Sequence, residues 1–249
     1  MKTFKAVCSY DGTDYHGWQR QPKGKTIQGV LENTLIKITK KNIAVIGAGR
    51  TDAGVHALGQ VFHFQTAARL QPDEFQRAFN SLLPPDIRIS RMDEAPDDFH
   101  ARRSARSKVY RYRILNSPSI SPFAVRYVHP VHRPLDVESM TAAARLFVRE
   151  DDFNPFSSNR FLHPVRRITR AEISQDSDEI LLTVEAGGFL RYMVRTIAGT
   201  LIEVGSGRLE PADIDRLFAQ KKRTEESPTA PAKGLCLIEV KYGPDRGSG

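Results

Sequence analysis

The sequence predicts an α+β fold made of two comparable halves. Predicted helices interrupt predicted strands without a regular β-α-β alternation, which disfavours a doubly wound parallel sheet. Each half carries about four predicted strands and two predicted helices, although no residue-level repeat relates them. Hydrophobic residues make up 40% of the 249 residues, so the chain can bury a substantial core.

In the first half, apolar and polar residues alternate in the predicted strands, while the predicted helices have apolar residues every three or four positions and a capping residue or proline at the start. The elements predicted there are a strand at 3–10, a helix that Thr26 caps, strands near 43–47 and 59–66, a helix that begins at Pro72, and strands near 87–93 and 107–115.

In the second half, Asp136 caps a predicted helix. The remaining elements are strands near 165–175 and 179–186, a helix at about 189–204, a short helix from Pro211 and a last strand at 235–242.

Proline placement predicts the domain boundaries. The segment 117–134 contains four prolines and is predicted to link an N-terminal α/β subdomain, 1–116, to a C-terminal one, 135–243. The last residues, 244–249, are predicted to be a flexible tail.

Charge and cysteine content indicate the partner and the compartment. The formal net charge is +8, which favours a polyanionic partner such as nucleic acid. The two cysteines, Cys8 and Cys236, lie in strand-like runs and are expected to be small core residues in a reducing cytoplasm. The N-terminus lacks a signal-peptide pattern and no run is long enough to span a membrane, so we expect a cytoplasmic protein without membrane contact.

The run G-A-G-R-T-D-A-G-V-H-A from Gly47 places one carboxylate, Asp52, among small residues. A phosphate-binding loop is disfavoured, because Asp52 occupies the place of the third glycine and would repel a pyrophosphate. A metal site of Asp52, His56 and His63 has no recognised ligand spacing. A plain turn, with glycine supplying positive φ, remains open.

A further interpretation makes Asp52 a nucleophile. A carboxylate can attack an electron-poor carbon when a nearby cation keeps it ionised. Arg50 is two residues away and points to the same side if this segment is extended. The glycines would let a flat substrate approach the backbone, so the run is compatible with attack on a nucleobase-sized ring.

The residues around Asp52 resemble the signature of a known family. The run G-R-T-D-A-G-V-H-A at 49–57 resembles that of the tRNA pseudouridine synthase A (TruA) family. Further matches follow the family's order along the chain: Y-D-G-T at 10–13, T-I-Q at 26–28, F-H-A-R at 99–102, K-V-Y-R-Y at 108–112, M-V-R at 193–195 and A-P-A at 230–232. The resemblance extends from about residue 3 to residue 242.

This resemblance implies a fold and an activity. The fold would be two ferredoxin-like α/β subdomains that share an extended, mainly antiparallel sheet with helices on one face and an active cleft between the halves. The activity would be isomerisation of uridine to pseudouridine at positions 38, 39 and 40 of the tRNA anticodon stem-loop, without a cofactor or a metal. The family acts as a homodimer.

The resemblance also assigns roles to single residues. Asp52 would be the catalytic carboxylate, adding to C6 of the uracil or to C1′ of the ribose, a choice that stays open. Arg50 would help to refill the gap left by the extruded base or to hold the flipped base, Tyr110 would stack on the uracil, and Arg195 would pair with Asp52 and keep it ionised.

The stretch from His100 to Arg113 holds six lysines and arginines and no acid, which favours phosphate contacts. We expect Arg102, Arg103, Arg106 and Lys108 to bind RNA. The stretch at 152–158, D-F-N-P-F-S-S, matches the family only loosely, and Phe153 within it is expected to be a core residue.

Two other classes of protein compete with the synthase. A non-catalytic RNA-binding protein would stack bases on sheet aromatics, but a carboxylate in its groove would oppose binding. A metal-dependent hydrolase would lose its activity with a chelator, which the synthase would not.

Overall fold

The computed structural model describes residues 1–243, which divide into two compact units. The first unit joins Met1–Arg106 to the chain from Leu237 onward, and the second is Ser107–Cys236. The predicted tail, 244–249, lies outside the described residues.

These units differ from the predicted domains 1–116 and 135–243. The last strand returns to the first unit, a long-range pairing that chain order does not reveal. The predicted linker, 117–134, belongs to the second unit, where it forms a short strand and buries Val128 and Val131.

The helices and strands alternate irregularly along the chain, as predicted. In the first part they are β1 (Lys2–Tyr10), α1 (Ile27–Thr39), β2 (Ile46–Gly47), β3 (His56–Thr66), α2 (Pro72–Leu82), β4 (Ile87–Ala95) and β5 (Ala105–Leu115). They continue with β6 (His129–Pro130), α3 (Val137–Arg145), β7 (Glu150–Asp152), β8 (Val165–Asp176), β9 (Glu179–Ala186), α4 (Met193–Gly205), α5 (Asp213–Ala219) and β10 (Leu235–Tyr242). Within residues 1–243, none of the helices has the length and apolar character that crossing a bilayer requires.

In the first unit the strand order is β4-β1-β3-β10, with the short β2 paired to β3. The pairs β1–β3 and β1–β4 are antiparallel, and Phe4 lies opposite Phe64 in the register of β1 with β3. This arrangement places β3, and therefore the loop that precedes it, at the centre of the unit.

Aromatic side chains form the core of the first unit. Phe4 of β1 stacks on Phe64 of β3, and both contact Phe75 of α2. Phe79, one turn further along α2, packs against Phe62 and Phe64. All five rings are almost completely buried, so the apolar face predicted for α2 covers the strands, as its periodicity requires.

In the second unit the strand order is β5-β9-β8-β7, with antiparallel neighbours. The short β6 pairs in parallel with the end of β5, where Ile114 lies opposite His129. The α+β class and the mainly antiparallel pairing are therefore confirmed.

The core of the second unit includes aromatic residues of the stretch at 152–158, which matches the family only loosely. Phe153, Phe156 and Phe218 pack against one another, and Phe147 contacts the last two. Phe153 is fully buried, which confirms its prediction as a core residue.

Two predicted helix caps are confirmed. The Thr26 hydroxyl accepts from the amide of Gly29 at the start of α1, and the Asp136 carboxylate accepts from two amides at the start of α3. These caps follow from local sequence because each satisfies backbone donors of its own first turn.

Two predicted boundaries are wrong. The strand predicted at 43–47 is reduced to Ile46–Gly47 because side chains of α1 bind the backbone of Val45: Gln28 donates to its carbonyl and Glu32 accepts from its amide. The helix predicted from residue 189 begins at Met193 because Tyr192 has φ 64°, which helical backbone does not allow.

Candidate active site

Asp52 lies in the loop between β2 and β3, and backbone bonds to the loop after β1 hold this segment. The amide of Trp18 donates to the carbonyl of Thr51 at 3.0 Å. The amide of Gly54 donates to the carbonyl of Tyr15 at 3.3 Å. Asp52 is half-buried between the anchored residues Thr51 and Gly54, so the loop has a defined backbone path despite its glycine content.

Two glycines of the loop after β1 permit this close approach. A Cβ atom on Gly12 would lie 2.0 Å from the carbonyl oxygen of Val55, and one on Gly17 would lie 2.5 Å from that of Thr51. Gly17 also has φ +84°, which disfavours any other residue. The two loops therefore contact each other backbone to backbone on either side of Asp52.

The turn interpretation is correct for the backbone. The amide of Val55 donates to the carbonyl of Asp52 at 3.2 Å, and Gly54 within this turn has φ +78°. Asp52 is thus the first residue of a closed turn. A turn and a reactive carboxylate are compatible, because the backbone bonds orient the residue that carries the side chain.

Polar side chains below the loop complete its support, and sequence reasoning did not single them out. The hydroxyls of Tyr10 and Thr51 lie 2.9 Å apart in a buried hydrogen bond. Gln60 donates from Nε2 to the carbonyl of Gly49 at 3.0 Å. The sequence could have indicated Gln60, because this glutamine lies inside the apolar run that forms β3. A buried side-chain amide needs hydrogen-bond partners.

Arg50 is exposed and its direction is set by a glutamine. Its Nε donates to Oε1 of Gln19 at 3.0 Å, and Nε2 of Gln19 donates to Oε1 of Gln28 at 2.7 Å. Gln28 lies in the T-I-Q stretch at 26–28 that resembles the family. Since Nε is engaged, the terminal nitrogens of the Arg50 guanidinium carry the donors that face outward.

The two histidines of the alternative metal site serve the backbone instead. Nδ1 of His56 accepts from the amide of Gly12, and Nδ1 of His63 accepts from the amide of Ala101, each at 3.1 Å. Within residues 1–243, no three His, Cys, Asp or Glu side chains are grouped as metal ligands. The structure therefore does not assemble Asp52, His56 and His63 into one site.

The basic stretch separates into exposed and buried cations. Arg102, Arg103 and Arg106 are exposed, and none of them has an ion-pair partner among the described residues. Lys108 is only 9% exposed, because alternate residues of β5 share a face and Lys108 shares that of Tyr110. This burial does not fit a phosphate contact at the protein surface.

Tyr110 is a buried residue of β5 in the second unit. Its ring meets that of Phe189 edge to face, with the ring centres 5.2 Å apart. Two residues on, the hydroxyl of Tyr112 donates to the carbonyl of Pro231 at 2.8 Å, and burial raises the pKa of this hydroxyl. This bond attaches the segment 228–231 to β5.

Arg195 lies in the first turn of α4 and is bound to the same segment. Its Nε donates to the carbonyl of Ala230 at 2.8 Å, and its own carbonyl accepts from the amide of Ala230 at 3.0 Å. The guanidinium also lies 4.7 Å from the centre of the Tyr192 ring. Sequence reasoning left both Tyr192 and the purpose of the A-P-A match unassigned, and here they orient a half-buried arginine.

The four predicted site residues divide between the two units. Asp52 and Arg50 belong to the anchored loop of the first unit, while Tyr110 and Arg195 belong to β5 and α4 of the second. An oriented carboxylate can attack a base covalently, and aromatic rings can stack on that base. Guanidinium groups can bind the phosphates of an anionic polymer.

Comparison with known proteins agrees with this chemistry. Residues 6–102 and 143–243 match a family model described as tRNA pseudouridine synthase. Relatives named tRNA pseudouridine synthase A include those of Caldicellulosiruptor bescii, 42% identical, and Brevibacillus brevis, 43% identical; each alignment covers 97% of this chain and 100% of the relative. A relative of the same name from Syntrophotalea carbinolica is 42% identical, with 98% of each chain covered.

The chain therefore belongs to the tRNA pseudouridine synthase family. It is an isomerase of tRNA, and the resemblance found in the sequence is confirmed over nearly its whole length.

Proposed function

We propose that the chain converts uridine to pseudouridine at position 38, 39 or 40 of the tRNA anticodon stem-loop, with Asp52 as the nucleophile. The observation that carries the proposal is the anchored turn of Asp52, in which bonds of Thr51 with Trp18 and of Gly54 with Tyr15 hold the backbone on either side of a half-buried carboxylate. Fixed backbone geometry favours covalent attack, because a preoriented nucleophile does not lose orientational freedom when it reacts.

The proposed reaction conserves all atoms of the uridine. A carboxylate oxygen of Asp52 bonds to C6 of the uracil or to C1′ of the ribose, and the C1′–N1 bond breaks. The uracil turns in the site and C5 bonds to C1′. The bond to Asp52 is then released, N1 takes up a proton and C5 loses one. No step requires an oxidant, a reductant or a cofactor.

Arg50 and Tyr110 act on the base in this proposal. A paired or stacked uridine must leave its helix before it can react, at a cost of a few kcal/mol. The outward-facing nitrogens of Arg50 suit contacts to phosphate or to the vacated stack. Tyr110 presents a ring for stacking on the uracil, and a tyrosine with an ordinary pKa near 10 is a poor base without help.

The RNA contacts of the proposal are Arg102, Arg103 and Arg106, which are exposed and without acidic partners among the described residues. Lys108 shares a face of β5 with Tyr110 and is only 9% exposed, so its proposed contact is with RNA at the site and not at the open surface. As the family resemblance implies, the proposal includes a homodimer that acts in the cytoplasm. Sedimentation velocity under assay conditions measures the oligomeric state.

The reaction and its nucleophile are tested together by release of tritium from C5. Wild-type protein, without added metal and with a chelator, is incubated with an anticodon stem-loop carrying [5-³H]uridine. We expect release by the wild type and none above background by Asp52→Ala, because C5 cannot lose its hydrogen without the adduct. RNA binding by Asp52→Ala should persist.

The matched control is Asp97→Ala, which removes an exposed carboxylate of the same unit and should release tritium as the wild type does. Binding of RNA by the wild type without any release would instead favour the non-catalytic RNA-binding protein. Cleavage of the RNA that requires added metal, without release of tritium from C5, would favour the hydrolase class.

Arg195 has the proposed role of keeping Asp52 ionised. Arg195→Ala should raise the pKa of Asp52 and slow turnover, since an isolated carboxylate near a pocket prefers to be neutral. Single-turnover rates across pH measure this effect: the acid limb should move to higher pH while the dissociation constant for RNA changes little. Unchanged rates at all pH values would remove Arg195 from the mechanism.

A further inference from the structure

The second unit contains an open cleft of about 450 Å³ that the proposed reaction does not use. Its walls are β6 with the residues that follow it, α4, and the segment 228–231. The volume is in the range of sites for small organic ligands. Six lining residues determine its chemistry: His129, Val131, His132, Arg133, Ile202 and Glu203.

The charge balance of the cleft favours an anion. Arg133, His129 and His132 supply cationic or protonatable groups. Among the lining residues, all of which lie in the described part of the chain, Glu203 is the one acid. Its carboxylate is already bound by the guanidinium of Arg208 and lies 3.8 Å from that of Arg133. Arg133 and Arg208 therefore share one carboxylate, and with Lys233 beside His129 the cations near the cleft outnumber the acid.

His129 lies close to two of these cations. Burial lowers the pKa of this imidazole, and the charges of Lys233 and Arg133 lower it further. A ring whose protonation is opposed by two neighbouring cations is a favourable neighbour for an added negative charge.

Two carbonyl oxygens in this wall are already occupied by hydrogen-bond donors. That of Ala230 accepts from Arg195, and that of Pro231 accepts from the Tyr112 hydroxyl. Occupied carbonyls present little free negative potential to the cleft.

We propose that this cleft binds a nucleotide, with the phosphate on Arg133, a ring nitrogen of His129 and Nε2 of His132, whose Nδ1 donates to the carbonyl of Ser117 at 3.0 Å, and with the ribose and base against Val131 and Ile202. Arginine and imidazolium suit phosphate oxygens, and an apolar wall suits the body of a nucleoside. The nucleotide is either a free nucleoside monophosphate or a non-reacting residue of the bound RNA. The site goes beyond the proposed function and does not involve Asp52.

Proton NMR of the histidine C2–H signals of the full chain tests the site. The His129 and His132 signals are assigned by their loss in His129→Gln and His132→Gln. Titration with uridine monophosphate, inorganic phosphate or an anticodon stem-loop should move these two signals and raise the pKa of His129, because a bound anion favours the imidazolium. Shifts with the mononucleotide indicate a free nucleotide site, and shifts with RNA alone indicate a residue of the bound RNA.

Arg133→Ala should weaken the binding of whichever probe shifts the signals by about tenfold or more, the effect of losing one charge-assisted hydrogen bond. His132→Ala, at an exposed position, should weaken it less. The control is Arg170→Ala, which removes an exposed arginine of β8 that is paired with Glu172 and does not line the cleft. Thermal melting verifies that the variants are folded.

The proposal is overturned if no probe moves the His129 and His132 signals, or if Arg133→Ala and Arg170→Ala bind equally well. It is also overturned if these signals move on dilution without any probe, since a second copy of the chain would then cover the cleft. The tritium assay of Asp52→Ala is independent of every one of these outcomes, so failure of the cleft and failure of the proposed function are distinguishable.

Discussion

At the scale of single residues, Asp52 owes its orientation to residues that have no side chain. Gly12 and Gly17 allow the two loops to touch through their backbones, and larger residues at either position would occupy the space of a carbonyl oxygen. At these two positions, glycine allows two backbone segments to lie closer together than a residue with a side chain would. The same property that makes glycine flexible in the unfolded chain permits a rigid site once partners are in place.

His63 is a buried histidine whose folded environment opposes its charge. Burial is the larger cause of its lowered pKa, and the neighbouring His100 adds to it. Its Nδ1 accepts from the amide of Ala101, the residue before Arg102 in the basic stretch. Protonation of Nδ1 would remove this acceptor, so the neutral ring holds the start of that stretch to β3.

We therefore predict that acid destabilises the protein through His63. An unfolded histidine titrates near pH 6.5, and the folded ring titrates lower. Below pH 6.5 the unfolded chain binds more protons, so the free energy of unfolding falls as the pH decreases towards the folded pKa. Urea denaturation at pH 7.5, 6.5 and 5.5 measures this fall, to which His129 contributes in the same direction.

The variant His63→Gln should show a smaller fall between pH 6.5 and 5.5 than the wild type, since one of the contributing groups is gone. His16→Gln, at an exposed position, is the control and should follow the wild type. An equal fall in His63→Gln and the wild type would contradict the assignment.

At the scale of elements, the segment 228–231 organises the second unit without being a helix or a strand. It runs along α4, where Arg195 bonds to Ala230 through side chain and backbone, and it reaches β5 through Pro231 and Tyr112. Because it touches both elements, a small displacement of this segment would move a proposed site residue and a wall of the cleft together.

Gly199 is the position in α4 that allows the segment to lie so close. A Cβ atom there would be 2.0 Å from the carbonyl oxygen of Pro228. We expect Gly199→Ala to lower the melting temperature, although alanine favours helix by about 1 kcal/mol, because backbone on the other side cannot easily yield. The turnover rate should fall as well, through displacement of Arg195.

The matched control is Gly188→Ala, where the added Cβ would meet no atom within 4 Å. Its melting temperature and rate should stay close to those of the wild type. A Gly199→Ala protein that melts at or above the wild-type temperature would show that the segment is not held as tightly as the contact indicates.

At the scale of the whole molecule, the net charge is +8, and the cationic side chains differ in whether they pair with acids. Many exposed arginines pair with acids, whereas Arg102, Arg103 and Arg106 do not within the described residues. Unpaired cations gain most from phosphates, because they release counterions from the nucleic acid without giving up an existing ion pair.

The triple variant of these three arginines to alanine should therefore bind the anticodon stem-loop more weakly. The slope of log K against log salt should also become shallower by about 2, as each phosphate contact contributes about 0.7 to 0.9. The slope is measured by fluorescence anisotropy at salt concentrations from 50 to about 300 mM. Contacts to single-stranded and to duplex RNA are both screened progressively over this range.

A second triple variant with the same change in net charge is the control. It replaces Arg77, Arg91 and Arg216, which are exposed and paired with acids. Its slope should change much less. Equal slopes in the two variants would mean that net charge alone, and not this stretch, accounts for binding.

The parts of the site that could be predicted are those encoded by neighbours in the chain. Asp52 and Arg50 share a nine-residue run with a recognisable pattern, and Thr26 and Asp136 cap helices through bonds within one turn. Tyr110 and Arg195 required the family resemblance, since an aromatic in a strand or an arginine on a helix is ordinary by itself.

The parts that could not be predicted depend on residues far apart in sequence. The strand near Val45 is shortened by side chains of α1, and the start of α4 is set by the left-handed backbone of Tyr192. The support from Gln60, and the burial of Lys108 in a stretch that looks uniformly basic, likewise follow from pairing with distant elements.

The sequence by itself determined the α+β class, the family, the carboxylate that we propose to react and the basic stretch, because periodicity, capping and motif spacing act over a few residues. Only the tertiary structure decided that the glycine-rich loop is anchored, that β10 returns to the first unit and that a cationic cleft opens beside α4. Those features arise from contacts between segments that lie far apart in the sequence, and no local pattern records which segments will meet.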